Sequence, residues 1–255
     1  MSRNLLLLSI AALIPVAGCA PVPAATPAPP SVQTVIVPQT VVVPATAAST
    51  APVKAAAPAT ATTPSTTTTA SVSIPTIPAP VAVTLDPKTT AFLILDITSV
   101  ICTPRKSCVA SLPAISSLLK KARDAGVMVV YSDTPTAGST ILPQVAPQPN
   151  DPKVTGRADK FFETNLDDIL KSKGIKTTVM VGSASNGAVL YTAFGANLRG
   201  YTVVAAEDGM STDDPFAQLL TRYQLLNQPG FNNPENKPLQ ATRVTLSRTD
   251  LITFK

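Results

Sequence analysis

The sequence predicts a doubly wound α/β domain, a mostly parallel sheet with helices on both faces, over residues 86–255. Three observations predict it. Short continuous apolar runs alternate with helix-period patterns from residue 91 onward. The runs are apolar on both faces, as strands buried between two helical layers must be. Glycines follow the helical patterns where the chain has to turn back.

Taken in order, Phe92-Leu93-Ile94-Leu95 reads as the first strand. A helix is predicted from about Pro113 to Ala125, because Ile115, Leu118, Leu119 and Ala122 repeat at i, i+3, i+4 and i+7. Pro113 suits its first turn and Gly126 its exit. Val127 to Tyr131 is the second strand. Leu166 to Lys173 reads as a short helix, with Asp167 and Asp168 at its start and Lys171 and Lys173 at its end to complement the dipole. Thr177 to Gly182 is the third strand. Gly187 to Arg199 is the next helix, with Leu190, Ala193, Phe194 and Leu198 expected inward. Thr202 to Ala206, Asp214 to Leu226 and Arg243 to Leu246 complete the set as strand, helix and strand. In such sheets ligands bind at the carboxyl ends of the strands. The residues there are Asp96, Asp133, the segment after Gly182, and Glu207-Asp208.

The first residues read as an export address. Arg3 is followed by the apolar run Leu5 to Pro15 and then by Val16-Ala17-Gly18-Cys19. A charged start, a short apolar run and small residues make a secretory signal over residues 1–18. The run falls short of the ~20 residues that a spanning helix needs. Ending on a cysteine, the segment resembles the bacterial lipobox, which implies lipid on Cys19. Ala20 after it, rather than aspartate, implies the outer membrane, facing the periplasm. Two or more acyl chains anchor stably. Residues 19–85 are rich in Ala, Pro, Thr, Val and Ser, and Gln33 to Pro38 is echoed by Gln39 to Pro44. Recurrent proline denies this stretch a core, so it reads as a disordered tether.

Composition removes several classes of function. The chain has no histidine, which excludes Ser-His-Asp and Cys-His catalysis and the commonest zinc ligand. A net charge of +5, without a basic stripe, speaks against nucleic acid. After Cys19 only Cys102 and Cys108 remain, six apart in a turn-like segment. Export favours a small disulfide loop; two free thiols are the alternative.

Four segments together resemble the isochorismatase-like family, the cysteine hydrolases that include nicotinamidases. Ala91 to Asp96 resembles the family's first strand and its catalytic aspartate. Phe161 with Thr164, Leu166 and Leu170 resembles the second segment. Val181 through Ala193 resembles the nucleophile strand and helix, and Arg199 to Val204 with Asp208 the stretch that follows. The resemblance spans about residues 88 to 212 and implies a Rossmann-like, isochorismatase-like domain. It also implies an aspartate that takes the thiol proton, a cysteine that attacks and a lysine that supports developing charge.

Asp96 stands at the aspartate position. Lys160 and Lys153 are the candidates for the lysine, since an ungapped count back from Phe161 lands on Thr155. The nucleophile position, six residues after Gly182, holds Ala188. Thr98, Phe161, Ser185, Asn186 and Gly187 are expected to line the pocket. The family often has a cis peptide near the position of Ala184-Ser185. No cofactor is implied, because the metal-binding histidines of nicotinamidases have no counterpart.

A methyl group cannot attack a carbonyl, so the leading expectation is a membrane-anchored binding or scaffold module for a small carbonyl or carboxylate ligand. The alternatives are an active hydrolase of C–N or vinyl-ether bonds, using Asp96 with water or with Ser183, Ser185, Cys102 or Cys108, and a purely structural envelope protein. Family members are often homo-oligomers, although the sequence itself shows no interface.

Overall fold

The computed structural model describes residues 34–36 and 71–255. The expected signal segment 1–18, the expected lipidation site Cys19 and most of the expected tether lie outside the described residues. The chain divides into one unit ending at Thr76 and a second from Ile77 to Lys255. In the first, β1 (Thr34–Ile36) pairs antiparallel with β2 (Ser71–Ser73).

The second unit is built on a six-stranded parallel sheet. Its strands are β4 (Thr90–Leu95), β5 (Met128–Asp133), β6 (Lys153–Thr155), β7 (Thr177–Ser183), β8 (Thr202–Ser211) and β9 (Val244–Ser247). Their order is β6-β5-β4-β7-β8-β9. The chain first builds outward from β4 to β5 and β6, then returns to lay β7 on the other side of β4. Such a reversal opens a crevice at the strands' carboxyl ends.

Successive side chains of each strand face opposite layers. Phe92 and Ile94 of β4, with Val129, Tyr131, Val179 and Val181, pack under α1 (Lys106–Asp124). Ala91, Leu93 and Leu95, with Val130, Met180 and Val203, pack under α2 (Leu166–Ser172), α3 (Leu190–Leu198) and α4 (Pro215–Leu226). Every residue of β4 is buried, as expected of a central strand between two layers. At the start of α4 the Asp214 carboxylate accepts from the backbone N–H of Phe216, and Pro215 needs no such partner.

Several expectations change. The domain starts before residue 86. The short strand β3 (Val83–Leu85) pairs parallel with β10 (Ile252–Phe254) and buries Val83 and Leu85. Helix α1 starts at Lys106, so Pro113 sits inside it rather than at its first turn. Pro113 is on the exposed side, and the stripe Ile115, Leu118, Leu119, Ala122 is buried as expected. Cys102 and Cys108 form a disulfide that ties the segment after β4 to the first turn of α1. The inward face of α3 is not the expected one. Ala193 is buried, but Phe194 and Leu198 are 37% and 60% exposed, and Thr192 and Ala196 face inward with Ala193.

That face is small because α3 lies close against the loop before α2. A Cβ on Gly195 would come within 2.7 Å of the Asp159 carboxylate. The Thr192 hydroxyl accepts from the Lys160 backbone N–H at 3.1 Å. Large side chains on this face would push the loop, and Lys160 with it, away from the sheet.

Candidate functional site

The first group at the crevice is Asp96, the residue directly after β4. It adopts φ +55°, a left-handed conformation that aspartate tolerates better than most residues. The residue is 4% exposed. Lys160, fully buried in the loop between β6 and α2, places its Nζ 2.7 Å from Asp96 Oδ2. The same ammonium donates to the carbonyl of Gly156 at 2.8 Å. Ser132, near the end of β5, donates its hydroxyl to Asp96 Oδ1 at 2.7 Å. Three neighbouring segments of the crevice thus converge on one carboxylate.

Burial pushes the Asp96 carboxyl above the ordinary value of 3.8. Lys160 and the Ser132 hydrogen bond oppose that push without cancelling it, and the nearby Asp133 adds to it. Asp133 itself accepts from the Thr134 backbone N–H and the Ser139 hydroxyl.

Lys153 does not join this group. It is exposed on the edge strand β6, where its neighbour Val154 takes the buried position. Ser132 was not singled out from the sequence; a single serine at the end of an apolar run carries no signal of its own.

Strand β7 comes very close to β4 at Gly182. A Cβ there would meet the Leu95 carbonyl oxygen at 2.3 Å, so only glycine fits. The peptide between Ser183 and Ala184 is cis, one bond before the expected place. A π-helical turn, Ser185–Val189, then leads into α3, and within it Val189 N–H donates to the Ala184 carbonyl at 3.3 Å. Ala188 lies in this turn, 2% exposed. Ser185 and Thr98 are fully buried, and their hydroxyls have no hydrogen-bond partner among the described residues. Asn186 is exposed and Gly187 half-buried.

Phe161, expected to line a pocket, is instead a core residue. It is 4% exposed, stacks on Tyr201 at 5.9 Å and lies under the Arg199 guanidinium at 4.7 Å. Asp208 also serves the fold: its carboxylate accepts the backbone N–H of Thr249 at 2.8 Å and the Thr249 hydroxyl at 2.7 Å. Among the described residues no three acidic, cysteine or histidine side chains gather as a metal site.

Chemically, the arrangement is a buried carboxylate paired with a buried ammonium beside a glycine-containing turn. It can hold or move a proton at Asp96 and place a positive charge next to a carbonyl or carboxylate oxygen.

The comparisons with known proteins agree with this architecture. The Isochorismatase domain family matches residues 90–221, just over half of the 255 residues. A secreted isochorismatase effector from Verticillium dahliae is 33% identical over 117 residues, covering 41% of this chain and 62% of that protein. The match therefore spans less than two thirds of that relative. Among solved structures, a cysteine hydrolase from Pseudomonas syringae pv. phaseolicola superposes with a TM-score of 0.56 at 22% identity, over 68% of this chain and 94% of that one. N-carbamoylsarcosine amidase from Thermoplasma acidophilum gives a TM-score of 0.51 at 20% identity, over 64% and 97%. At such identities the likeness is one of fold. With the strand order, the Asp96 crevice and the family match in hand, the chain belongs to the isochorismatase family.

Proposed function

We propose that this protein is a lipid-anchored envelope protein whose hydrolase-like domain binds a small carbonyl or carboxylate compound at the Asp96–Lys160 pair without cleaving it. The observation that carries the reading is Ala188. It occupies the turn where the family resemblance calls for the attacking cysteine, while the paired carboxylate and ammonium nearby are kept. A methyl group forms no bond to a substrate carbon, and losing the nucleophile of a unit costs several orders of magnitude in rate. Lys160 can still donate to a ligand oxygen. Cys102 and Cys108 are held in a disulfide and offer no thiolate. Lipid on Cys19, reached through the proline-rich segment, would hold the domain at the outer membrane on its periplasmic side.

The test is hydrolysis of a panel of small amides and vinyl ethers by the purified protein, beside Asp96→Asn and Ala188→Cys. No turnover by the wild type is the expected result, with turnover gained in Ala188→Cys. Turnover by the wild type that disappears in Asp96→Asn overturns the binding reading and makes Asp96 the base for an attacking water. For the anchor, Cys19→Ser is expected to move the protein from the membrane fraction to the soluble fraction; unchanged fractionation removes that part of the proposal.

A further inference from the structure

The strands of the large sheet run parallel, so the residues that lead into them share one edge, at the opposite end of β4 from Asp96. Three exposed lysines lie together there. Lys88 precedes β4, Lys176 directly precedes β7, and Lys173 closes α2 in the turn before β7. Backbone bonds draw their segments into one row. Lys176 N–H donates to the Thr89 carbonyl at 2.7 Å, and Thr202 N–H at the start of β8 donates to the Lys176 carbonyl at 3.0 Å. Lys88 and Lys176 are far apart in the sequence and become neighbours through the pairing of β4 with β7.

Among the described residues, none of these three ammonium groups is paired with a carboxylate, whereas Lys120, Lys171 and Lys237 each are. The carboxylate beside the row, Asp86, is taken up by the backbone N–H of Lys88 and the hydroxyl of Thr89. Like charges gathered without a counter-charge repel one another, and an anionic partner relieves that repulsion. Ammonium groups on flexible stems meet phosphates as point charges, with no fixed geometry. Counting the flanking Lys171, which Asp167 pairs, and Arg199, the edge carries five exposed cations. That is the size of basic cluster that anionic lipid leaflets attract.

We propose that this lysine edge docks on an anionic phospholipid surface, so that the Asp96 crevice faces away from the membrane. The proposal rests on the lipid-anchored reading, because an anchored tether keeps the edge at high local concentration beside a leaflet. The six residues of β4 separate the two ends by about 20 Å. Lipid held at one end therefore leaves the crevice open to small molecules at the other.

The experiment is sedimentation of the full chain carrying Cys19→Ser, so that no acyl chain contributes, with phosphatidylcholine vesicles that either lack phosphatidylglycerol or contain about one third of it. Binding is expected to the anionic vesicles alone at low salt. It is released at about 0.5 M salt, where screening shortens the reach of each charge to a few ångströms. Each lysine at an anionic surface contributes about fivefold in affinity. Lys88→Gln combined with Lys173→Gln and Lys176→Gln therefore weakens binding about a hundredfold. Lys106→Gln combined with Lys153→Gln and Lys237→Gln removes the same charge elsewhere and weakens it less than about threefold. All six lysines are exposed, so neither variant touches the core. The anchor is scored separately on membranes washed in about 0.5 M salt, which acyl chains withstand and charge pairing does not. No preference for anionic vesicles, equal losses in the two triple variants, or tighter binding to duplex DNA than to vesicles at the same salt overturns the proposal.

Discussion

Two lysine–aspartate pairs in this protein have nearly the same length and opposite physics. Lys160 and Asp96 meet at 2.7 Å with side chains 0% and 5% exposed. Lys120 and Asp124 meet at 2.6 Å one helical turn apart on α1, 77% and 63% exposed. Distance alone says nothing about what either contributes. In water the charges of the α1 pair are screened, and its formation costs side-chain freedom. The buried pair is costly to make, because two ions leave water, and costly to break, because the survivor has no partner. A contact of the first kind decorates a surface, whereas one of the second kind fixes the position of every segment that contributes to it.

The largest effect should come from breaking the buried pair from one side. Asp96→Ala strands the Lys160 ammonium, and urea unfolding should show a loss of about 3–5 kcal/mol. Adding Lys160→Met should restore much of it. A loss below about 1 kcal/mol, or no recovery in the double variant, would erase the difference between the two pairs.

Removing the disulfide tests what holds the backbone behind Asp96. Cys102→Ala with Cys108→Ala should lower stability by about 2 kcal/mol on the chain-entropy account of a small loop. Crystals or amide exchange of that variant would show whether the segment after β4 loosens while β4 stays protected.

The pH dependence sharpens the contrast further. The folded-state pKa of Asp96 is raised by burial, so the fold holds that proton more tightly than the unfolded chain does. The group's contribution is complete below its ordinary value of 3.8 and is lost as pH rises through the folded-state pKa. The stability difference between wild type and Asp96→Asn should therefore shift against the wild type as pH rises from below 3.8 toward neutrality. A shift in the other direction would mean that Lys160 outweighs burial.

The smallest effect belongs to the exposed pair. Lys120→Ala should change stability by less than about 0.5 kcal/mol, and added salt should shrink even that.

The same distinction between buried and exposed explains what could be read from the sequence. Strands β4, β5, β7 and β8 were legible because burial on both faces writes an unbroken apolar run. Strands β3, β6 and β10 were not, since three residues are too few to establish a period, and β3 follows directly on proline-rich sequence. Asp96 was legible as the polar end of an apolar run. Lys160 and Lys153 could not be separated, because the choice depends on which one the loop before α2 turns inward. The inward face of α3 was misread for a related reason: the pattern rewards large apolar residues, but here a nearby loop admits only small ones. The start of α1 was misplaced because Pro113 looks like a first-turn residue, and no capping side chain marks the true start at Arg105.

The pairing of β3 with β10 has a consequence for the order of events in synthesis. Val83 and Leu85 are among the first residues of the domain to emerge, yet their strand partner is residues 252–254, and the backbone N–H of Lys255 reaches the Leu85 carbonyl at 3.0 Å. A chain made from its N-terminus carries that edge unpaired until almost the whole domain has been released. The seam can close only after every strand of the six-stranded sheet has been made.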